Sequence, residues 1–224
     1  TYTVTYDVNG GDELDNNTQT VTYGENTTLV NPTKTGYDFA GWYNGSSKVN
    51  DGSWNIADDV TLIARWEATE YAIRYTLDGG TNNSENPLKY TIESETITLS
   101  DPSREGYTFI GWTNDETQNP TFALTIPQGS TGEKEFSANW QANTYIVTYD
   151  VNGGDDIADN VKEYEFDSNV SLLVPTRPGY NFAGWYYGTQ LVTSGVWKIA
   201  DDITLVARWS RVEFNIQYQL NGGN

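Results

Sequence analysis

One eight-residue box, present in three copies, constrains this chain more than any other feature. The copies read Gly36-Tyr37-Asp38-Phe39-Ala40-Gly41-Trp42-Tyr43, Gly106-Tyr107-Thr108-Phe109-Ile110-Gly111-Trp112-Thr113 and Gly179-Tyr180-Asn181-Phe182-Ala183-Gly184-Trp185-Tyr186. A motif that returns with its surroundings at a fixed period marks a repeat array, each unit of which is one small folding element. The surroundings do return. Opening segments begin at Tyr2, Tyr71 and Tyr145, and a fourth at Phe214, spaced by 69, 74 and 69 residues. Units one and three align without a gap, and unit two is a variant. The chain therefore divides into repeat 1 at 1–67, repeat 2 at 68–141, repeat 3 at 142–210, and at 211–224 the first strand of a fourth repeat.

Each unit reads as four strands. In the opening segment Tyr2, Val4, Tyr6 and Val8 alternate with Thr3, Thr5 and Asp7. Such a period of two puts one face on a core. The Asn-Gly-Gly or Asp-Gly-Gly that follows accepts positive φ and ends the strand in a turn. A second strand is expected near Gln19–Tyr23, Leu88–Ile92 and Lys162–Phe166. The connector after it carries Pro32, Pro102 or Pro175, which limits any helix there to about one turn. The box is the third strand. In units one and three a Gly-rich loop follows it, then Trp54-Asn55-Ile56-Ala57-Asp58-Asp59 or Trp197-Lys198-Ile199-Ala200-Asp201-Asp202. Unit two carries Phe122–Pro127 in that place. The closing strands are Val60–Trp66, Glu133–Trp140 and Ile203–Trp209. Four residues without Gly or Pro join each closing Trp to the next opening aromatic, too few for a flexible tether. At about 30 Å per unit, three units predict an elongated rod of roughly 90 Å.

Composition narrows the function. Asp and Glu number 31 against 12 Lys and Arg, a formal charge of −19. Nucleic-acid binders need basic residues to displace phosphate counterions, so no nucleic-acid partner is expected. Solubility through mutual repulsion is the plain reading of the acidity. The chain has no Cys, His or Met. Disulfides, thiolate metal sites and Ser-His-Asp catalysis are thereby excluded, and only carboxylate chemistry remains open to an enzyme. An enzyme would also show one-off residues, whereas the notable residues here recur. No apolar run is long enough to span a membrane, so no membrane insertion is expected.

The opening strand ending in Asn-Gly-Gly, the run Pro32–Tyr43 with Ala64 and Trp66, and the run Pro175–Tyr186 with Ala207 and Trp209 resemble the Listeria–Bacteroides repeat, which includes the B-repeats of listerial internalins. Unit two matches more loosely through Pro102–Tyr107 and Phe109–Trp112, with Thr113 in place of Tyr. The resemblance implies a mainly β, β-grasp-like module with little helix, strung in tandem in large bacterial surface and secreted proteins. Members of the family serve mostly as stalks or spacers, and the family offers no catalytic residues to carry over.

The residues that attract attention have both a structural and a functional reading. Tyr37, Phe39, Gly41 and Trp42 with Trp66 read as core, with Tyr37, Phe39 and Gly41 on one face of a two-sided central strand and Trp42 on the other. Tyr107, Phe109, Gly111, Trp112 and Trp140 repeat the set, as do Tyr180, Phe182, Gly184, Trp185 and Trp209. A domain of this size needs several large buried side chains. Tyr43, Trp54, Tyr186, Tyr187 and Trp197 are the candidates for an aromatic sugar platform. Asp58, Asp59, Asp201 and Asp202 are weak calcium candidates beside a plainer role as turn residues. Asn-x-Ser/Thr sequons stand at Asn16, Asn26, Asn44, Asn82 and Asn169. The fourth opening strand, with Phe214, Ile216, Tyr218 and Leu220, has an apolar face and is a candidate for strand exchange with a neighbouring chain.

These readings predict a non-enzymatic, cofactor-free, extracellular stalk segment of an adhesin-like cell-surface or secreted protein. Its partners would be the other domains of that protein. The alternatives are a module that binds a host or cell-wall glycan or protein, and a filament subunit that self-associates through its C-terminal strand.

Overall fold

The computed structural model describes residues 1–158, 160–219 and Gly222. Among these the regular structure is entirely strand, with no helix. The first repeat holds β1 (Tyr2–Asp7), β2 (Thr18–Val21), β3 (Asn26–Thr27), β4 (Tyr37–Asn44), β5 (Ser47–Val49), β6 (Gly52–Ser53) and β7 (Val60–Ala68). The second holds β8 (Tyr71–Thr76), β9 (Lys89–Tyr90), β10 (Ile97–Thr98), β11 (Tyr107–Thr113), β12 (Thr125–Ile126) and β13 (Lys134–Ala142). The third holds β14 (Thr144–Asp150), β15 (Val161–Glu165), β16 (Asn169–Val170), β17 (Tyr180–Tyr187), β18 (Gln190–Val192), β19 (Gly195–Val196) and β20 (Ile203–Arg211). Leu220 of the candidate exchange strand lies outside the described residues. Its other members, Phe214, Ile216 and Tyr218, are exposed and in no strand.

Sheet order in the first repeat is β2-β1-β7-β4-β5, and the third repeats it as β15-β14-β20-β17-β18. The first pair is an antiparallel hairpin, but β1 and β7 run parallel, with Val4 opposite Val60 and Tyr6 opposite Leu62. This corrects the expectation for the box. The closing strand is the central one, and the box strand β4 lies outside it. The Gly-rich loop after the box is also a strand, since β5 turns back on β4 with Trp42 opposite Val49. In the second repeat the order is β11-β13-β8-β9, and the box hairpin is reduced to one bridge between Trp112 and Thr121.

A β-bulge reorients the box. Phe39 pairs with Trp66 and Gly41 with Arg65, which leaves Ala40 unpaired. An extra residue reverses the alternation. Phe39 and Trp42 therefore share the core face, with ring centroids 5.4 Å apart, instead of facing opposite ways. The third repeat shifts register at the same place, between Phe182 and Gly184.

The Asn-Gly-Gly turns of the first and third repeats have a specific fit. Asn9 and Asn152 take positive φ and donate through Nδ2 to Ala64 O and Ala207 O, each at 3.0 Å. Gly11 and Gly154 lie against Trp66 and Trp209, where a Cβ would come within 2.5 Å of the indole Cζ2.

The chain forms two compact units. One comprises Thr1–Asp78, Asn82–Asp101 and Gly111–Ala138, and the other Gly79–Thr81, Pro102–Ile110 and everything from Asn139 onward. In the first, Val4, Tyr6, Val21, Leu29, Trp42, Trp54, Leu62 and Ala64 make one core. In the second, Val147, Tyr149, Val170, Trp185, Trp197, Ile203, Leu205 and Ala207 make its counterpart.

Candidate functional site

The box tryptophans are structural by position. Trp42, Trp112 and Trp185 are among the most buried large side chains. Trp42 donates to Val30 O at 2.7 Å and Trp185 to Leu173 O at 2.6 Å, so the strand is tied to the proline-bearing connector. Trp66 and Trp209 donate to Val8 O and Val151 O at 3.0 Å and close the far end. Phe39 and Phe182 lie between these tryptophans, 5.4 and 5.5 Å from the closing rings, and Phe109 sits 5.5 Å from Trp140.

The sugar-platform residues do not form a platform. Trp54 and Trp197 are 3% and 2% exposed, sealed in the two cores. A ring with no accessible face cannot stack on a pyranose. Tyr43 and Tyr186 each have one face covered by a guanidinium, that of Arg65 or Arg208, 3.9 Å from the centroid. Of the five candidates, Tyr187 alone is exposed.

The acidic pairs are engaged by backbone. Asp59 Oδ1 accepts from Thr3 N–H, and Asp202 Oδ1 from Ile146 N–H, both at 2.7 Å. Each carboxylate thus extends the parallel ladder past the start of the closing strand. Asp58 Oδ1 accepts from Asp59 N–H at 2.9 Å, as a turn residue does. Among the described residues no group of three or more Asp, Glu, Cys or His is arranged to hold a metal ion.

Two clusters that the sequence reading missed join successive repeats. Within the first unit, Tyr37 donates its hydroxyl to Glu93 at 2.9 Å, and Gly36 O accepts from Thr69 N–H at 3.0 Å. Within the second, Tyr107 donates to Asp167 Oδ2 at 2.7 Å, and Lys198 pairs with the other carboxylate oxygen. Gly106 O accepts from Asn143 N–H at 2.9 Å, and Asn143 O accepts from Phe166 N–H at 2.8 Å. The Phe166 ring packs edge-on to Tyr107 at 5.6 Å, and the Arg104 guanidinium covers the other side of Tyr107 at 3.7 Å. The Lys198 ammonium foremost, then the Tyr107 hydroxyl, holds the Asp167 carboxyl below the usual aspartate range. The same hydrogen bond raises the Tyr107 phenol. Asp167 takes φ +65 where the first repeat has Gly24. A non-glycine residue there costs some backbone energy, though Asp tolerates this conformation better than most. The first and third repeats differ at every position from 18–25 to 161–168, so the change from Gly24 to Asp167 does not stand out in the sequence.

The comparisons with known proteins agree with this architecture. The model of the Listeria-Bacteroides repeat domain matches residues 2–65, 71–139 and 145–208. The chain belongs to that family, as three tandem repeats. It is 27% identical over its whole length to a protein of Evansella cellulosilytica provisionally named a Gly-rich membrane protein, and covers 26% of that protein. A second relative from the same organism, provisionally named a membrane protein, is 29% identical over 98% of this chain and 33% of its own length. Internalin H of Listeria monocytogenes is 30% identical over 52% of this chain and 21% of its own length. The chain thus spans a third or less of each of these relatives.

Proposed function

We propose that this chain is a non-enzymatic spacer segment of a larger bacterial surface protein, acting outside the cell. The observation that carries this reading is the repeated docking of one module on the next, Tyr37 to Glu93 and Tyr107 to Asp167. Backbone continuity supports it too: β7 and β13 run two residues past the closing Trp66 and Trp140, almost into the next opening strand. A spacer has to hold a distance, and junctions closed by hydrogen bonds and packed rings resist bending more than a free linker does. Small-angle X-ray scattering tests this. A maximum dimension near 90 Å supports a spacer, whereas a radius of gyration near 17 Å, that of a compact chain of this length, would refute it.

A second reading, self-association through the C-terminal strand, is favoured by the exposure of Phe214, Ile216 and Tyr218. Unpaired apolar strand segments recruit partners. Light scattering of the chain with and without residues 211–224 decides it: an unchanged mass on deletion removes the reading.

A further inference from the structure

The two junctions share one chemistry. In each, a glycine at positive φ (Gly36 at 79°, Gly106 at 77°) lies flat beneath an apolar side chain of the following repeat. A Cβ at Gly36 would come within 2.6 Å of Ile92 Cδ1, and one at Gly106 within 2.4 Å of the Phe166 ring. The residue after the apolar one is acidic, Glu93 or Asp167, and accepts from the tyrosine next to the glycine. A cation, Lys34 or Arg104, covers that tyrosine ring.

The third repeat carries the same three groups. Gly179 takes φ 77°, Tyr180 follows it, and the Arg177 guanidinium lies 4.0 Å from the Tyr180 centroid. Gly179 O accepts from Val212 N–H at 3.0 Å, so the chain leaves this repeat by the hydrogen bond used at Gly36 and Gly106. Here, however, no atom of the described residues outside the glycine's chain neighbours lies within 4 Å of a Cβ at Gly179. Gly179 is exposed whereas Gly106 is buried. Among the described residues nothing accepts from the Tyr180 hydroxyl. The complementary group appears at the first repeat. Tyr23 holds the place of Ile92 and Phe166 and is 57% exposed, against 8% for Phe166.

We infer that Gly179, Tyr180 and Arg177 form a docking face for the corner of a further repeat of this family, in which an apolar residue precedes Asp or Glu. The inference rests on the repeat-array reading above and names the partner chemistry of one face. A flat glycine floor accepts an apolar side chain, the phenol hydroxyl donates to a carboxylate, and Arg177 adds a positive charge beside it. A second copy of this chain fits less well, because its corner is Tyr23 followed by Gly24, and its nearest carboxylate, Glu25, stands one position further on. The sequence from Phe214 has the residue pattern of a repeat's opening segment.

The test is tyrosine nitration mapped by mass spectrometry. In the chain itself Tyr180 reacts about tenfold faster than Tyr37 and Tyr107, whose hydroxyls are engaged. Asp167→Gly, which removes the acceptor and suits the positive φ, brings Tyr107 toward the rate of Tyr180. Two extended chains are then made, in which Asn224 is followed in register by residues 156–210 or by residues 82–141. In either one that folds, as judged by circular dichroism, Tyr180 falls to the rate of Tyr107. Replacing the acid of the added corner by glycine removes the acceptor and restores reactivity. The inference is overturned if Tyr180 is already protected in the original chain, if Asp167→Gly leaves Tyr107 protected, or if Tyr180 stays reactive beside a folded added repeat. A reactive Tyr180 in a chain whose scattering dimension still grows by one repeat rejects the docking face and leaves the spacer standing.

Discussion

At Gly41, Gly111 and Gly184 the backbone sits at φ 130°, 129° and 127°, a region that side-chain-bearing residues rarely enter. The bulge needs this conformation to turn Phe39 and Trp42 onto one face, so the glycine is required by the backbone before any contact is considered. What a Cβ would meet differs among the three. At Gly41 and Gly184 it meets the ends of the Lys48 and Leu191 side chains at 2.5 Å, and these can swing away. At Gly111 it meets the backbone nitrogen of Thr121 at 2.5 Å, which cannot. Gly41→Ala and Gly184→Ala are expected to cost about 1–3 kcal/mol, and Gly111→Ala more, in denaturant unfolding. Equal losses at all three would show that the clash adds nothing to the backbone strain. Asp59 makes a different prediction. Asp59→Ala removes the acceptor for Thr3 N–H and is expected to cost about 0.5–1.5 kcal/mol, with no change in the response of Tm to calcium. A calcium-dependent Tm that Asp59→Ala abolishes would restore the metal reading of this pair.

Among the elements, the tie between the parallel β1–β7 pair and the stretch before it decides how the module holds together. Trp54 illustrates this. It follows β6, lies buried in the core of the first repeat, and donates to Ile56 O at 2.7 Å. Trp54→Ala should cost about 3–5 kcal/mol, because it removes a large buried side chain and leaves a cavity. A residue serving as a sugar platform would lose little stability on the same change, so unfolding curves of Trp54→Ala separate the two roles without any ligand. The second repeat shows how much of this part can vary. Its β10–β12 pair stands where β3–β6 and β16–β19 stand, with Ile126 buried and Phe122 exposed. The core position is kept while the hairpin outside it is nearly lost.

Over the whole chain, the titratable groups place the pH limits of stability. Asp167 is depressed below its ordinary value of 3.8, so the junction's contribution is fully present above that pH and fades as pH falls through the lower folded value. Acid should therefore loosen the junction between the second and third repeats before it affects the cores. Hydrogen exchange at Asn143 and Phe166, compared with Val4 and Leu62 across pH 2–5, checks this. Uniform loss of protection would count against it. At the alkaline end, burial pushes the Tyr75 phenol up to about 12 and raises Tyr149 further. A buried neutral phenol stabilises the fold fully below pH 10, and that stabilisation is lost as pH rises through the folded value. An ultraviolet titration should show a late tyrosine step at about 12 that coincides with unfolding.

The sequence by itself determined the repeat period, the alternating face of each opening strand, the turn at each Asn-Gly-Gly and the box as a structural unit. These are local properties, written in spacing and residue type within a few positions. The tertiary structure decided the rest. Alternation shows which residues share a face but says nothing of which strand lies beside it, so the parallel β1–β7 pair and the central closing strand could not be read from it. The bulge at Ala40 was hidden because Ala-Gly suits a regular strand as well as a bulged one, and that one residue reverses the face of Trp42. The burial of Trp54 and Trp197 depends on the core that long-range pairing builds around them. The hydroxyl–carboxylate pairs at the junctions join residues 56 and 60 positions apart in the chain. Only a folded backbone brings such groups within hydrogen-bonding distance, since nothing in the local sequence selects one distant acid over another.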